Sequence, residues 1–160
     1  MLQRTEVAQK AKEILENLLE KLDVETSVEI GTETPPSPEG EESPIVLEVT
    51  GEDLGVLIGR RGQALASLQY IVRLVIASQT GSYVPVLVDV EGYRKRRDES
   101  LKALALRIAE QVKAKRVPFK LEPMPAYERR IVHLALANHP DVATSSTGEG
   151  DFRRVVVSPK

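Results

Sequence analysis

A short glycine-bounded break interrupts the most apolar helical stretch of this chain. Residues 52–58 and residues 63–79 both have helical spacing of apolar side chains, and Gly59-Arg60-Arg61-Gly62 lies between them. Two glycines allow the backbone to turn sharply and to approach a ligand closely. The helix that follows presents unpaired backbone N–H groups, which favour anions. The sequence therefore predicts a helix-turn-helix segment whose arginine tip suits a phosphate backbone. A plain turn with solvated arginines accounts for the same residues.

The residues on either side of this turn predict one compact unit of mixed helices and strands. Helical periodicity over 4–22 is followed by β-type alternation over 24–30, and apolar strands are predicted at 45–50 and 85–90. The order is α-β-β-α-α-β. The acidic, proline-rich segment 31–44 is predicted to be a loop. The inward positions predicted on the two long helices are Val7, Ala11, Ile14, Leu15, Leu18, Leu19, Leu22, Leu65, Leu68, Ile71, Val72, Val75 and Ile76.

The remainder of the chain predicts a second small unit with the order α-β-α-β-β. Its predicted elements are a helix at 93–116, an extended segment at 117–121, a helix at 126–138, and strands at 142–147 and 152–158 joined by a turn. Pro123 and Pro125 fit the start of the second helix, because proline is tolerated in a first turn. We therefore expect an α+β protein with domains at 1–90 and 91–160.

Charge is divided unevenly between these two halves. Residues 1–90 hold 7 basic and 15 acidic side chains, a net of −8, whereas residues 91–160 hold 15 basic and 9 acidic ones, a net of +6. The whole chain has 22 basic and 24 acidic residues, a net charge of −2. Such asymmetry favours a nucleic-acid partner for the basic half. The acidic half discourages non-specific binding of anions.

Composition argues against several classes of protein. The chain has no cysteine and two histidines, so disulfide scaffolds and thiolate metal sites are excluded and a histidine-rich metal centre is not expected. No apolar run reaches the roughly 18 residues of a membrane-spanning helix, and acidic residues interrupt the N-terminal helix, unlike a signal peptide. Ser145 and Ser146 have no base nearby in sequence. We expect a cytoplasmic protein with no cofactor, metal, membrane insertion or catalysis.

Arg129 and His133 form a second candidate site. They are four residues apart on a predicted helix and hence lie on one face. Further basic residues that could assist them in the same half are Arg130, Arg153 and Arg154. An ordinary surface pair is the alternative, in which Glu128 or Glu122 holds Arg129 and His133 is half buried.

Four adjacent cations, Arg94, Lys95, Arg96 and Arg97, follow Tyr93 in the first turn of a predicted helix. They oppose the helix macrodipole at a cost of about 0.3–1 kcal/mol for each well-placed charge, so helix stability does not explain them. A phosphate-binding stripe explains them, as does a solvated face partly offset by Glu91, Asp98 and Glu99.

These motifs together resemble one known architecture. Residues 57–62, followed by Leu65 and Leu68-Gln69, resemble the loop and helix of a type II KH domain. Arg129 and His133, with the later segments 142–148 and 153–157, resemble the Arg-x-x-x-His domain of single-strand nucleic-acid binders. The combination is similar to the Jag/KhpB family of bacterial RNA-binding proteins, and it covers nearly the whole chain.

The resemblance implies a non-catalytic protein that binds single-stranded RNA, with the KH loop clamping about four nucleotides. It also implies an RNA chaperone or post-transcriptional regulator linked to cell elongation and envelope homeostasis, with a smaller KH-only protein or a second copy as partner. Many relatives carry an additional N-terminal domain, which we expect this sequence to lack. The alternatives are a binder of single-stranded DNA and a protein-interaction adaptor.

Overall fold

The computed structural model describes residues 3–35, 37 and 39–160, which fold into two compact units. The first unit comprises residues 1–94 and the second residues 95–160. Each unit has its own sheet and its own cluster of buried apolar side chains. The prediction of an α+β protein made of two small domains is thereby confirmed.

The first unit has the predicted order of elements. They are α1 (Arg4–Lys21), β1 (Thr26–Ile30), β2 (Ile45–Gly51), α2 (Gly55–Ile58), a 3-10 turn (Arg60–Gly62), α3 (Gln63–Thr80) and β3 (Val86–Val90). The strands form a sheet in the order β1-β2-β3, in which β2 is antiparallel to β1 and parallel to β3. The short helix α2 starts three residues later than predicted, because Asp53 adopts a positive φ of 52° in the preceding turn.

The core of the first unit lies between one face of this sheet and the long helices α1 and α3. Leu47, Val49 and Val88 from the sheet are buried there with Leu15 and Val72 from the helices. Two predictions about this core are wrong. Leu22 is exposed because α1 ends one residue earlier, and Ile71 is exposed because it lies about 100° around α3 from Val72.

The second unit also follows the predicted order. Its elements are α4 (Tyr93–Lys115), β4 (Phe119–Lys120), α5 (Ala126–Leu136), β5 (Val142–Thr147), a 3-10 turn (Gly150–Phe152) and β6 (Arg154–Pro159). The first two residues of α4 belong to the first unit. The strands form an antiparallel sheet in the order β4-β6-β5. The closing hairpin is confirmed, although its second strand starts at Arg154 and Phe152 lies in the turn.

The predicted loop at 31–44 is joined to α1 by an ion pair of 2.9 Å between Arg4 and Glu42. Two of the loop's prolines, Pro36 and Pro38, lie outside the described residues. Within the described part of the chain, no helix is both long enough and apolar enough to span a membrane.

Candidate nucleic-acid interface

The turn between α2 and α3 depends on three residues with positive φ. Gly59 has φ 69° and ψ −172°, Arg61 has φ 55°, and Gly62 has φ 78°. The combination at Gly59 is almost restricted to glycine, whereas the left-handed region at Arg61 is open to other residues at some cost. A backbone hydrogen bond of 3.4 Å from Gly62 N to Gly59 O closes the turn. The chain therefore places the predicted loop at 59–62 in one defined conformation.

Steric contacts restrict both glycines further. A Cβ atom on Gly59 would lie 2.7 Å from Ala64 Cβ and 2.9 Å from the Ala64 backbone nitrogen. A Cβ atom on Gly62 would lie 2.8 Å from Tyr93 Cε1. The first clash is with the backbone of α3, and the second is with an aromatic ring. Both glycines are thus required for close packing as well as for their dihedral angles.

We expect Gly59→Ala to lower the free energy of unfolding by about 3 kcal/mol, since strain at a glycine-only φ/ψ region and a backbone clash combine there. Gly81→Ala is the matched control, because Gly81 has φ 70° and nothing lies within 4 Å of its added Cβ. For Gly81→Ala we therefore expect only the cost of about 1–2 kcal/mol that a side chain incurs in the left-handed region. Urea unfolding of the full chain measures both values, and equal losses would show that the clash at Gly59 is relieved.

The two arginines of the turn stand at the start of α3. Arg60 is exposed, and Arg61 is partly buried. Gly62 is the N-cap residue of this 18-residue helix and has no side chain with which to cap the first backbone N–H groups. Two guanidinium groups and the positive end of a helix dipole are therefore combined at one surface.

The second candidate site is a hydrogen-bonded cluster that joins α5 to β5. His133 Nδ1 lies 2.7 Å from Thr144 Oγ1, and His133 Nε2 lies 2.9 Å from Ser146 Oγ. Arg129 donates from Nη1 to Ser146 Oγ at 3.3 Å and from Nε to the Met124 carbonyl at 3.2 Å. The structure thus brings Arg129 and His133 together on one face, as predicted from their spacing.

The hydroxyl of Ser146 is shared by both members of this cluster. Its Oγ accepts from Arg129 Nη1 and also shares a hydrogen bond with His133 Nε2, while His133 Nδ1 shares one with the Thr144 hydroxyl. A neutral imidazole donates from one ring nitrogen and accepts at the other, so both ring nitrogens are satisfied by hydroxyl groups. Burial lowers the pKa of His133, and the positive charge of Arg129 lowers it further. The imidazole is therefore neutral near pH 7 and contributes hydrogen bonding and a flat ring, while Arg129 carries the charge.

The lowered pKa of His133 predicts a pH-dependent stability. The unfolded chain takes up a proton at His133 near pH 6.5, whereas the folded chain does so only at lower pH. The contribution of His133 to the free energy of unfolding is therefore fully present above about pH 6.5 and falls as the pH drops through that window. We expect His133→Gln to remove this slope when urea unfolding is compared between about pH 5 and pH 7.5. If the free energy of unfolding changes with pH in the same way in both proteins, the assignment of this slope to His133 is contradicted.

The predicted stripe of four cations is divided by the fold. Arg94 donates from Nε to the Val88 carbonyl at 3.0 Å and from Nη2 to Gln69 Oε1 at 2.8 Å. Arg97 forms two parallel hydrogen bonds, of 2.8 and 2.9 Å, with the carboxylate of Glu128. Arg94 and Arg97 are thus engaged within their own units and partly buried, and the side chains of Lys95 and Arg96 are exposed.

The other predicted site arginines of the second unit, Arg130, Arg153 and Arg154, also differ in their exposure and in their hydrogen bonds. Arg153 is partly buried and donates from Nη1 to the Gly148 carbonyl at 2.8 Å, which braces the β5–β6 turn. Arg154 reaches the Phe152 carbonyl at 3.4 Å. Arg130 is exposed on α5. Arg130 is therefore open to solvent, whereas Arg153 stabilises the turn.

Several supporting residues were not identified from the sequence. Glu128 was considered as a partner of Arg129, but it pairs with Arg97 instead. The Gln69 amide oxygen accepts from Val88 N at 2.9 Å as well as from Arg94, and the Tyr93 ring packs on Gly62. The period-two spacing of Thr144 and Ser146 placed both on one face of β5, but it did not indicate that this face meets His133.

The contact between Ser146 and His133 also bears on catalysis. The sequence places no base near Ser146, yet the fold brings His133 Nε2 to 2.9 Å from its hydroxyl. A serine nucleophile requires a histidine that is oriented by a carboxylate or an equivalent group. Here the opposite ring nitrogen meets the Thr144 hydroxyl, and Arg129 competes for the serine oxygen. No group of three metal-ligating side chains occurs among the described residues.

Both units match known protein families. Residues 11–88 match the family described as the KhpA/KhpB KH domain, and residues 99–159 match the family of the Arg-x-x-x-His domain. The first match includes the 59–62 turn. The second includes Arg129, His133 and both of their hydroxyl partners.

Proteins similar to this chain carry the name RNA-binding protein KhpB. The relative from Clostridium symbiosum is 43% identical over 151 residues, which cover 94% of this chain and 65% of that protein. The relative from Bacillus subtilis is 44% identical over 115 residues, covering 70% of this chain and 55% of that protein. The relative from Streptococcus pneumoniae is 25% identical over 152 residues, covering 95% and 44%. The chain thus spans between 44% and 65% of the length of these proteins.

Proposed function

Because this chain belongs to the KhpB (Jag) family, in which a KH domain is followed by an Arg-x-x-x-His domain, we propose that it binds single-stranded RNA without acting on it chemically. The observation that carries the proposal is the turn at 59–62. Its backbone is fixed by glycines at positive φ, its tip bears Arg60 and Arg61, and it opens the helix α3. KH domains use such a loop to hold the backbone of about four nucleotides.

The charge distribution of the first unit supports the same surface. The sheet register places Glu29, Glu48 and Asp89 side by side across the three strands, on the face opposite to the core. These carboxylates repel phosphates from the open face of the sheet. Three of the 15 acidic residues of 1–90 therefore lie on the sheet face that is opposite to the helices, and so away from the arginine-bearing turn.

The Arg129–His133 cluster supports a second binding surface in the Arg-x-x-x-His unit. Arg129 is held by the Met124 carbonyl and Ser146, so its guanidinium has a defined position before any ligand binds. An ordered donor loses less conformational entropy on binding than a free one. Two linked sites on one chain raise the overall affinity for a strand that engages both.

The proposal predicts a steep dependence of RNA affinity on salt, despite the net charge of −2. Each phosphate neutralised on a single strand contributes about −0.7 to the log–log slope. Because the KH loop would hold about four nucleotides, raising the salt concentration from roughly 50 to 200 mM should lower the RNA affinity at least tenfold. Fluorescence anisotropy of a labelled RNA measures this directly. A salt-independent affinity, or no RNA binding, would instead support the alternative of a protein-interaction adaptor.

Competition between matched oligomers distinguishes RNA from DNA as the ligand. Single-stranded RNA should compete better than DNA of the same sequence, because only RNA offers a 2′-OH group. Equal competition would support the alternative of a single-stranded DNA binder. Duplex RNA should compete poorly with both, since the clamp holds an unpaired strand.

The finer expectations remain predictions. They are a role as RNA chaperone or post-transcriptional regulator, a link to cell elongation and envelope homeostasis, and a cytoplasmic location. A smaller KH-only partner or self-association is supported by the match to a KH family shared by KhpA and KhpB, and by the exposed side chains of Tyr70, Ile71 and Leu74 on α3. Light scattering of the purified chain measures self-association.

A further inference from the structure

Phe152 is exposed to solvent and does not belong to the apolar core of the second unit. Its side chain is 75% exposed, whereas Phe119, the other phenylalanine of the chain, is partly buried against the core. A tyrosine exposed to this extent could be explained by its hydroxyl group, but phenylalanine has no polar group. The structure therefore holds an apolar aromatic ring in solvent next to the closing hairpin.

The turn that carries Phe152 is braced from several sides. Phe152 N donates to the Glu149 carbonyl at 3.1 Å, and Arg153 Nη1 donates to the Gly148 carbonyl at 2.8 Å. Gly148 has φ 88°, and a Cβ atom on it would lie 2.8 Å from the Phe152 carbonyl oxygen. A turn held in this way fixes the backbone that carries the ring, which reduces the entropy lost when a ligand contacts it.

A chain of hydrogen bonds links this turn to the Arg129–His133 cluster. The backbone carbonyl of Arg153, the residue after Phe152, accepts from Met124 N at 3.1 Å. The carbonyl of Met124 accepts from Arg129 Nε, and Arg129 Nη1 reaches Ser146. Two successive hydrogen bonds thus connect the residue after Phe152 to the guanidinium of Arg129, which we assign to RNA binding.

The charges beside the ring indicate which part of a nucleotide it would contact. Glu149 and Asp151 precede Phe152 in the turn and are exposed, whereas the two residues that follow it, Arg153 and Arg154, are basic. The carboxylates disfavour a phosphate on their side of the ring, whereas the uncharged face of a base meets no such penalty. The phosphates of the same strand would lie on the other side, toward Arg154, Arg129 and Arg130. This division of charge matches a strand whose backbone lies on the arginines and whose base lies on the ring.

We propose that Phe152 is a base-stacking residue of the second binding site, with an unpaired nucleobase of single-stranded RNA as its ligand. This inference rests on the proposed function. Stacking of a base on an aromatic side chain contributes about 1–3 kcal/mol by substitution and tolerates any sequence. Phe152→Leu, which keeps an apolar side chain but removes the ring, is therefore expected to weaken binding about fivefold or more.

The chain contains no tryptophan, so Phe152→Trp introduces a single fluorescent reporter that is itself able to stack. Stacking on a base quenches indole fluorescence. The matched control is Tyr83→Trp, since Tyr83 is an aromatic residue of the first unit that is 70% exposed. Both full-length variants are titrated with a 20-nucleotide single-stranded RNA and with an abasic oligomer of the same length. Anisotropy of the labelled RNA is recorded in parallel, and neither substitution removes a core contact.

We expect the Phe152→Trp signal to be quenched in parallel with the anisotropy change, and the abasic oligomer and the Tyr83→Trp protein to give no quenching. RNA binding without quenching of Phe152→Trp would overturn the inference and leave the proposed function standing; the exposed ring would then fit contact with a protein. Absence of RNA binding by the unmodified chain would overturn both.

Discussion

Reversing the charge at the tip of the 59–62 turn, by Arg60→Asp with Arg61→Asp, is expected to weaken binding of single-stranded RNA about 100-fold. Each arginine supplies a charge-assisted hydrogen bond to a phosphate, and such bonds contribute about 1.5–3 kcal/mol. At the lower end of this range, which suits a solvent-exposed turn, loss of two such bonds corresponds to about 3 kcal/mol, or roughly two powers of ten. Fluorescence anisotropy at fixed salt measures the change.

The fold should tolerate this double substitution. Arg60 is exposed, and aspartate adopts the positive φ of Arg61 more readily than most residues do. The free energy of unfolding should therefore change by about 1 kcal/mol or less. The matched control is Lys10→Glu with Lys21→Glu on α1, which alters the net charge of the same unit by the same −4 units. An equal loss of affinity in the control would show that bulk charge, and not the turn, holds the RNA.

The second large effect concerns the stability of the Arg-x-x-x-His unit. Glu128 is only 1% exposed, and its carboxylate forms a bidentate pair with Arg97, which links α4 to α5. Glu128→Ala would leave the guanidinium of Arg97 partly buried without this partner. Breaking a buried pair in this way costs about 3–5 kcal/mol, and we expect the free energy of unfolding to fall by that amount. Urea unfolding of the full chain, followed by signals from the second unit, provides the measurement.

Two further variants test the reason for this loss. Replacing both partners by apolar residues, Arg97→Met with Glu128→Leu, should recover most of the stability, because no uncompensated charge is then left buried. Glu42→Ala breaks the exposed pair between Arg4 and Glu42 and should have little effect, since water screens it. A Glu128→Ala protein as stable as the unmodified chain would refute the structural role assigned to the pair.

The sequence was sufficient for features that depend on neighbours along the chain. The order of helices and strands was predicted because the helical and β-type periodicities are local, and the turn at 59–62 was predicted because its glycines interrupt them. Arg129 and His133 were placed on one face because residues four apart on a helix always are. The family resemblance, drawn from these same residues, is confirmed by the matches to the KH and Arg-x-x-x-His domain families.

The sequence was insufficient where a side chain's partner is distant along the chain. Arg94 and Arg97 were grouped with their neighbours as a stripe of cations, yet Gln69 lies 25 residues from Arg94 and Glu128 lies 31 residues from Arg97. A run of four adjacent cations looks uniform in sequence, but the turn of a helix points successive side chains in different directions. Arg94 and Arg97 therefore meet these distant partners in the folded chain.

At the second site, too, the hydrogen-bond partners could not be predicted, because they depend on how a helix packs on a strand. Thr144 and Ser146 alternate on β5 in a way that is visible in the sequence, but their hydrogen bonds to His133 arise only because α5 packs across that strand. The exposure of Phe152 was likewise missed, since the residue was assigned to a strand and the fold places it in a 3-10 turn.

Crosslinking of the full chain to single-stranded RNA is the most direct test of this account. The RNA would carry photoreactive uridines, and mass spectrometry would identify the linked peptides. We predict crosslinks in two segments, one containing the turn at 59–62 and one within 129–154, and we predict their loss when unlabelled RNA is added in excess. Absence of crosslinked RNA, or crosslinks confined to peptides outside both segments, would contradict the claim that these surfaces bind RNA.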